Sequence, residues 1–397
     1  MRRFAGSCRF VYNAALALQK TNYSAGGTFI RYESMAKHLT GWRNSFETPW
    51  LKDSPCHPLQ HALKDLEKAY KNFFAKRAAF PKFKRRWSGD SFRYPDAKQF
   101  EIDQANNRIK LPKLGWIDYR NSRDVLGAPK NVTVSQSCGK WYVSIQTARE
   151  IPAPVHPRPH SAIGVDVRIA RFATLSDASF LSPLNSFKTH ENRLAKYQRR
   201  MSRKVKFSAN WKKAKAKVTR VHRDIGHCRR DFLHKASTSL VKQHALICIE
   251  DLRVKNMSAS AAGTISEPGR NVRQKAGLNK AILDQGWGEF REQLKCKALW
   301  VGGRLIAVPP QYTSQTCPAC GHVSKDNRTT QARFACVSCG YENHADVVGA
   351  INVLERGQRL LACGEHARLG SSMKQEPTEA IQGGSMPPSD AVGIPVL

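Results

Sequence analysis

The sequence predicts an α/β multidomain protein. A sheet with carboxylates in its apolar strands follows a helical region and a small β-barrel, and a four-cysteine module interrupts it. Three observations predict this. Near residue 97 the hydrophobic period changes from helical to alternating, and long helical stretches resume after 187. Two short apolar runs carry acids, Asp166 and Glu250. Two Cys-x-x-Cys pairs, Cys317/Cys320 and Cys336/Cys339, stand fifteen residues apart.

Composition bounds the partners. With 397 residues the chain can hold two or three domains. Its 65 Lys+Arg against 31 Asp+Glu give a formal charge of +34, far more than solubility requires. Such an excess calls for a polyanion, nucleic acid first and an anionic membrane surface second. No apolar run approaches the length of a membrane span. The start Met1-Arg-Arg superficially resembles a signal peptide, but Asn13 breaks its apolar stretch and no small-residue cleavage site follows. Of eleven cysteines, four are clustered and the rest scattered. That pattern fits a reducing cytoplasm and one metal site rather than a disulfide framework.

Taken in order, residues 1–95 read as mainly helical. Cys8–Lys20 puts Phe10, Ala14 and Leu18 on one face, and Leu59–Phe74 is amphipathic through Leu59, Leu63, Leu66, Tyr70 and Phe73 or Phe74. Pro49, Pro55 and Pro58 punctuate the link. In Phe80-Pro-Lys-Phe-Lys-Arg-Arg-Trp87 and Ser91-Phe-Arg-Tyr-Pro95, basic residues alternate with aromatics. This offers phosphate contacts with stacking platforms, although a solvated basic loop has the same composition. Residues 96–155 show period two in short strands at 100–103, 108–111, 115–119, 131–135 and 141–146, divided by turn residues. They suggest a small β-barrel, closed by the proline-rich linker Ile151–His160.

Residues 156–310 carry the first two acids. Ile163, Val165 and Val167 alternate with Ala162, Gly164 and Asp166 along a strand, and Phe172–Ser176 returns beside it. An acid inside an apolar strand costs energy unless something pairs with it. From this stretch alone Asp166 is either an acid that caps a turn or meets an arginine, or a metal-binding carboxylate. The stretch 188–244 reads as a basic helical hairpin, with eighteen Lys and Arg against Glu191, Asp224 and Asp231. That imbalance favours a phosphate-tracking surface over self-neutralising pairs. Ala245–Asp251 is a buried strand ending in Glu250 and Asp251, where a doubly covered sheet presents its functional edge. Residues 252–275 read as a loop, Ala276–Trp300 as a helix packed through Ile282 or Leu283, Phe290 and Leu294, and Arg304–Val308 as a further strand.

Residues 311–342 form the metal module. Two Cys-x-x-Cys knuckles complete a closed four-sulfur Zn²⁺ site, which makes the metal's role structural. Gly321 and Gly340 follow the knuckles. In 343–362 a helix opens with Asp346 in its first turn, where the helix dipole favours a carboxylate. Asp166, Glu250 and Asp346 occur in an order that a nuclease sheet can converge. Three carboxylates at one edge repel one another unless divalent cations neutralise them. A pair of Mg²⁺ ions there would activate water and stabilise the leaving oxygen of a phosphodiester.

On these residues the chain resembles the TnpB proteins of bacterial insertion sequences, relatives of type V CRISPR effectors. The matching stretches are Gly164-Val-Asp-Val with Phe172-Ala-Thr-Leu-Ser, Ile249-Glu-Asp-Leu, Asn271–Asn279 with Ile282–Trp287, Tyr312–Gly321 and His344–Asn352. Cys8–Asn13, Phe80–Lys84 and Ser91–Pro95 match as well, so the resemblance runs from about residue 4 to 355. It implies an RNase H-like (RuvC) nuclease with an inserted zinc ribbon, and an oligonucleotide-binding-like barrel interrupted by a helical recognition domain. It also implies Asp166, Glu250 and Asp346 as catalytic carboxylates, with Asp251 a neighbour. The implied activity is RNA-guided DNA cleavage, with a guide RNA from the transposon end and a short target-adjacent motif. Family members begin with a barrel strand; here Met1–Cys8 lies close to the first helix, so that strand is expected to be missing. Residues 363–397, rich in Ser, Gly and Pro, are expected to be disordered. Two further readings stay open: a strand-transferring transposase, and a nucleic-acid-binding regulator or truncated relative without cleavage activity.

Overall fold

The computed structural model describes residues 1–86 and 89–363, so the expected disordered tail lies almost wholly outside the described residues. The chain divides into two units. The first comprises Met1–Ala153 with Lys188–His227, and the second Pro154–Phe187 with Cys228–Leu397.

The first unit opens with helices α1 (Arg2–Ser24), α2 (Tyr32–Asn44) and α3 (Cys56–Phe74). Leu59, Leu63, Leu66 and Tyr70 of α3 are buried as their spacing predicts. α1 turns a different face inward from the predicted one. Phe4, Cys8, Val11, Tyr12, Ala15 and Leu16 are buried, whereas Phe10, Ala14 and Leu18 are only partly so. α1 carries two overlapping apolar stripes, and the longer one packs against α3. α2 had no sequence signal because Met35 and Leu39 are its only buried side chains among the described residues.

Strands β1 (Ser91–Tyr94), β2 (Glu101–Asp103), β3 (Arg108–Leu111), β4 (Gly115–Asp118), β5 (Ala128–Ser137) and β6 (Lys140–Ala148) follow. They form two antiparallel three-stranded sheets, β1-β5-β6 and β2-β3-β4, and no pairing joins the two sheets among the described residues. β1 revises the reading of Ser91–Pro95 as a nucleic-acid segment. Phe92 and Tyr94 are buried core residues while Arg93 is exposed, so the basic–aromatic alternation there is the two-residue period of a strand.

In the second unit lie β7 (Ala162–Val167), β8 (Ala173–Leu175) and β9 (Phe180–Leu181). The basic stretch that follows is helical, as α4 (Ser186–Ser202) and α5 (Ala209–Gln243), of which Lys188–His227 belongs to the first unit. Then come β10 (Leu246–Glu250), α6 (Val254–Met257), α7 (Val272–Gln285), α8 (Trp287–Trp300), β11 (Arg304–Val308), β12 (Arg333–Ala335), β13 (Glu342–His344) and α9 (Ala345–Ala362). The single helix expected over Ala276–Trp300 begins earlier and breaks at Gly286, whose φ of 74° a side-chain-bearing residue adopts only under strain. Ile282, Phe290 and Leu294 are buried, and Leu283 faces out.

The central sheet has the order β11-β10-β7-β8-β9. β7, β10 and β11 run parallel, and β8 and β9 are antiparallel to their neighbours. Residues 163–167 are all buried, because both faces of β7 are covered. Ile163, Val165 and Val167 pack with Leu233, Leu240, Phe290 and Leu294 in one core. The alternate residues face α9. Gly164 lies so close to that helix that a Cβ would sit 2.0 Å from the Ala350 carbonyl oxygen, so only glycine permits the approach. The same alternation puts Asp166 on the α9 face.

Candidate active site and metal centre

Two of the predicted acids meet across the β7–α9 contact. Asp166 is 3% exposed and Asp346, in the first turn of α9, is 7% exposed. Gly349 makes room for the first: a Cβ there would come within 2.9 Å of Asp166 Oδ2. Arg168, just beyond β7, bridges them, its Nε lying 2.8 Å from Asp166 Oδ2 and 2.8 Å from Asp346 Oδ1. Nε has one proton, and it is donated to Asp166; Asp346 Oδ1 stays buried without a hydrogen bond. Arg328 of the cysteine module approaches the same oxygen at 3.9 Å. At the helix start, the His344 side chain accepts a hydrogen bond from the Asp346 amide at 3.2 Å.

Glu250 ends β10, one strand over, and accepts a 2.6 Å hydrogen bond from the Thr313 hydroxyl. Burial, then the charge of Asp166, pushes its carboxyl up to about 7, against the pull of Thr313, Arg168 and Arg356. Burial also raises Asp166; the Arg168 contacts oppose the shift and the charge of Asp346 adds to it. Burial is thus the main cost of ionising either acid, and the nearby arginines offset only part of it. Asp251 is elsewhere, in an ion pair with Arg291.

A stability prediction follows from Glu250. The folded state holds its proton to about pH 7, whereas the unfolded chain releases it near 4.5. Stability from this group is therefore complete below the lower value and lost as pH rises through the upper one. In Mg²⁺-free buffer without chelator at pH 8, Glu250→Gln should raise stability by on the order of 2 kcal/mol, a few degrees in Tm. At pH 4 the two proteins should melt nearly alike. Calorimetry at both pH values checks this, and an equal difference at both contradicts it.

The acids do not close into one ligand cluster. Among the described residues, the only group of three or more His, Cys, Asp or Glu whose ligand atoms all lie within 4.8 Å is Cys317, Cys320, Cys336 and Cys339. Hard carboxylate donors with one unsatisfied buried oxygen nevertheless fit Mg²⁺. In the cysteine group, the Sγ atoms of Cys317 and Cys339, and of Cys320 and Cys336, are each 3.6 Å apart. A tetrahedron with Zn–S bonds of about 2.3 Å has edges of about 3.8 Å, so the donor set fits zinc. Both knuckles repeat one design. Gly321 and Gly340 have φ of 75° and 73°, and their amides reach back to the Cys317 and Cys336 carbonyls at 2.9 and 3.0 Å.

Sequence reasoning missed Arg168, Thr313, Arg328 and Asn352. Asn352, 1% exposed on α9, donates to the Thr313 and Thr316 carbonyls at 2.7 and 2.8 Å. It thereby ties the strap before the knuckles to the helix that carries Asp346, and sets the Thr313 hydroxyl on Glu250. Thr313 and Asn352 lie in stretches that carried the resemblance without a role. For Arg168 the signal was a cation two residues from an acid, and for Arg328 there was none.

Comparison with known proteins places the chain. The family OrfB_IS605, described as "Probable transposase", matches residues 132–261. A "Cas12f1-like, TNB domain" matches 287–353, and a "Helix-turn-helix domain" matches 1–28. The chain is 59% identical over 382 residues to "Putative RNA-guided DNA endonuclease InsQ" of Escherichia coli K12, across 96% of this chain and 94% of that protein. It is 35% identical over 398 residues to "Putative RNA-guided DNA endonuclease" of Streptomyces pristinaespiralis, with the same coverage. A solved Cas12f1–sgRNA–target DNA complex aligns over 89% of this chain and 93% of its own at 14% identity, with a TM-score of 0.32, too loose to carry an argument. At 59% identity over nearly its whole length, the chain belongs to the TnpB family of insertion-sequence proteins.

Proposed function

We propose that this chain is a transposon-encoded, RNA-guided DNA endonuclease that hydrolyses phosphodiesters at Asp166, Glu250 and Asp346. The carrying observation is the meeting of two of these acids across β7 and α9, with the third at the end of the neighbouring parallel strand β10. The strand order β11-β10-β7-β8-β9 and its directions support an RNase H-like (RuvC) sheet. The names of the InsQ and Streptomyces relatives support guided cleavage of DNA.

Asp166, Glu250 and Asp346 would hold Mg²⁺, which when bound supplies an activated water and charge stabilisation at the leaving oxygen. The chain's own groups do the rest. Thr313 orients Glu250 by its 2.6 Å hydrogen bond, and β7 and α9 fix the two aspartates. Cys317, Cys320, Cys336 and Cys339 would hold a structural Zn²⁺. The basic stretch 188–244, with eighteen cations against three acids, would follow phosphates of guide RNA and target DNA. Base pairing with the guide would supply sequence specificity. We place the protein in the cytoplasm; no described helix is long and apolar enough to cross a membrane. The domain scheme is proposed with it: a recognition region over 1–95, a barrel over 96–155, the nuclease over 156–310 and 343–362, and the ribbon over 311–342.

Expression with the flanking DNA of its element, followed by sequencing of the co-purified nucleic acid, tests this. A discrete RNA from the element's end is expected, and a plasmid carrying the matching target should be cut in Mg²⁺. Random RNA fragments and an intact plasmid would refute the guided reading.

A further inference from the structure

The preceding reading gives Asp166 and Asp346 a divalent cation, yet a cation of the protein's own stands between them. We propose that Arg168 is a built-in counterion, which holds the two aspartates until a divalent metal displaces it and is thereby freed for a nucleic-acid phosphate. The inference rests on the reading of these acids as metal ligands.

Its geometry is that of an exchangeable partner. One Nε lies 2.8 Å from an oxygen of each aspartate, and a single N–H satisfies only one of them. The acid side chains are 4% and 11% exposed, whereas the arginine side chain is 27% exposed. The carboxylates are thus fixed by strand and helix while the guanidinium has an open side. Its backbone allows withdrawal too. Arg168 lies beyond β7, where the turn closes through a long 3.4 Å hydrogen bond from its amide to the Phe172 carbonyl, so the side chain can leave without moving the sheet.

Charge makes the two occupants exclusive. Without metal, loss of Arg168 would leave Asp166, Asp346 and Glu250 facing one another with Arg328 at 3.9 Å as the nearest remaining guanidinium to Asp346. With a divalent ion in the same place, the guanidinium would be repelled. Once released, its planar fork of N–H donors matches a phosphate. Metal entry and phosphate binding are then linked: each favours the state in which Arg168 has let go of the aspartates. A permanent strut between β7 and α9 would behave differently, since its removal would loosen the aspartates and weaken metal binding.

The test uses the full, zinc-loaded chain desalted into Mg²⁺-free buffer without chelator, its zinc content verified, with Mn²⁺ binding followed by electron paramagnetic resonance and melting followed in parallel. Arg168→Ala should melt lower than wild type without metal, bind Mn²⁺ about tenfold more tightly and gain more Tm from it. Arg168→Lys, which keeps the charge and the stem, should fall between and carries the test if the alanine variant does not fold. Unchanged or weaker Mn²⁺ binding in the folded variants overturns the proposal. Asp166→Ala separates the two readings. Wild-type Mn²⁺ binding that Asp166→Ala removes, with no gain in the arginine variants, sinks only the counterion. Wild-type binding that Asp166→Ala leaves intact sinks the metal site and the counterion together.

Discussion

Asp166→Ala should abolish target cleavage, by at least about a thousandfold, while leaving guide RNA and target DNA bound. The asymmetry follows from where each function resides. Binding to a polyanion by a chain of charge +34 would spread over many cations, so the loss of one buried acid should hardly change it. Cleavage depends on a few oxygens, and Asp166 supplies one that only Gly349 allows the helix to approach. Folding should survive. Burial already raises the Asp166 carboxyl, so its ionised form is a cost to the fold rather than a support. Removing it leaves Arg168 paired with Asp346 at 2.8 Å. Gel-shift affinity measured beside plasmid cleavage separates the two effects. Cleavage within tenfold of wild type would remove Asp166 from the site, and a parallel loss of binding would make its role structural.

How far the sequence revealed this arrangement depended on whether a residue's partner lay nearby in the chain. The cysteines were legible because each knuckle is local: Cys317 with Cys320 and Cys336 with Cys339 state their own geometry, and the structure brings the four sulfurs together. Asp166 and Glu250 were legible because an acid in an apolar strand is costly and therefore conspicuous. The period of β7 correctly put Gly164 and Asp166 on one face, but it could not show that this face is as buried as the apolar one, under α9. Arg168, Thr313 and Asn352 were opaque for the complementary reason. They are ordinary polar residues whose meaning comes from neighbours far along the chain. Asn352 acts through the Thr313 carbonyl thirty-nine residues away, and Thr313 acts through Glu250 sixty-three residues away. In the first unit, composition misled at β1, where strand alternation and a nucleic-acid motif look alike in sequence. It also misled on α1, whose two apolar stripes differ only in which one finds α3.

The cysteine module supplies the other large effect. Cys317→Ser should release the zinc, unfold the module and abolish cleavage together. The module cannot fold on apolar burial alone. β12 and β13 have three residues each, and the core beside them contains Phe334, Ala345 and Val348 with two of the cysteines themselves, Cys317 and Cys336. A structural zinc contributes on the order of 10 kcal/mol to so small a module, so three thiolates and a hydroxyl should not retain it. The damage should then spread by direct connection. β13 runs into α9 at His344, whose side chain caps the turn holding Asp346. Arg328, 3.9 Å from Asp346, belongs to the module. Before the first knuckle, the strap bearing Thr313 and Thr316 is pinned to Asn352. Loss of the module should therefore loosen Asp346 and Glu250 while leaving β7, β10 and β11 paired. Metal analysis should show zinc falling from about one ion per chain to a small fraction. Limited proteolysis should open new cuts between residues 311 and 342 and spare the sheet. Zinc content and cleavage both at wild-type levels would mean that the four sulfurs do not hold the metal on which the site depends.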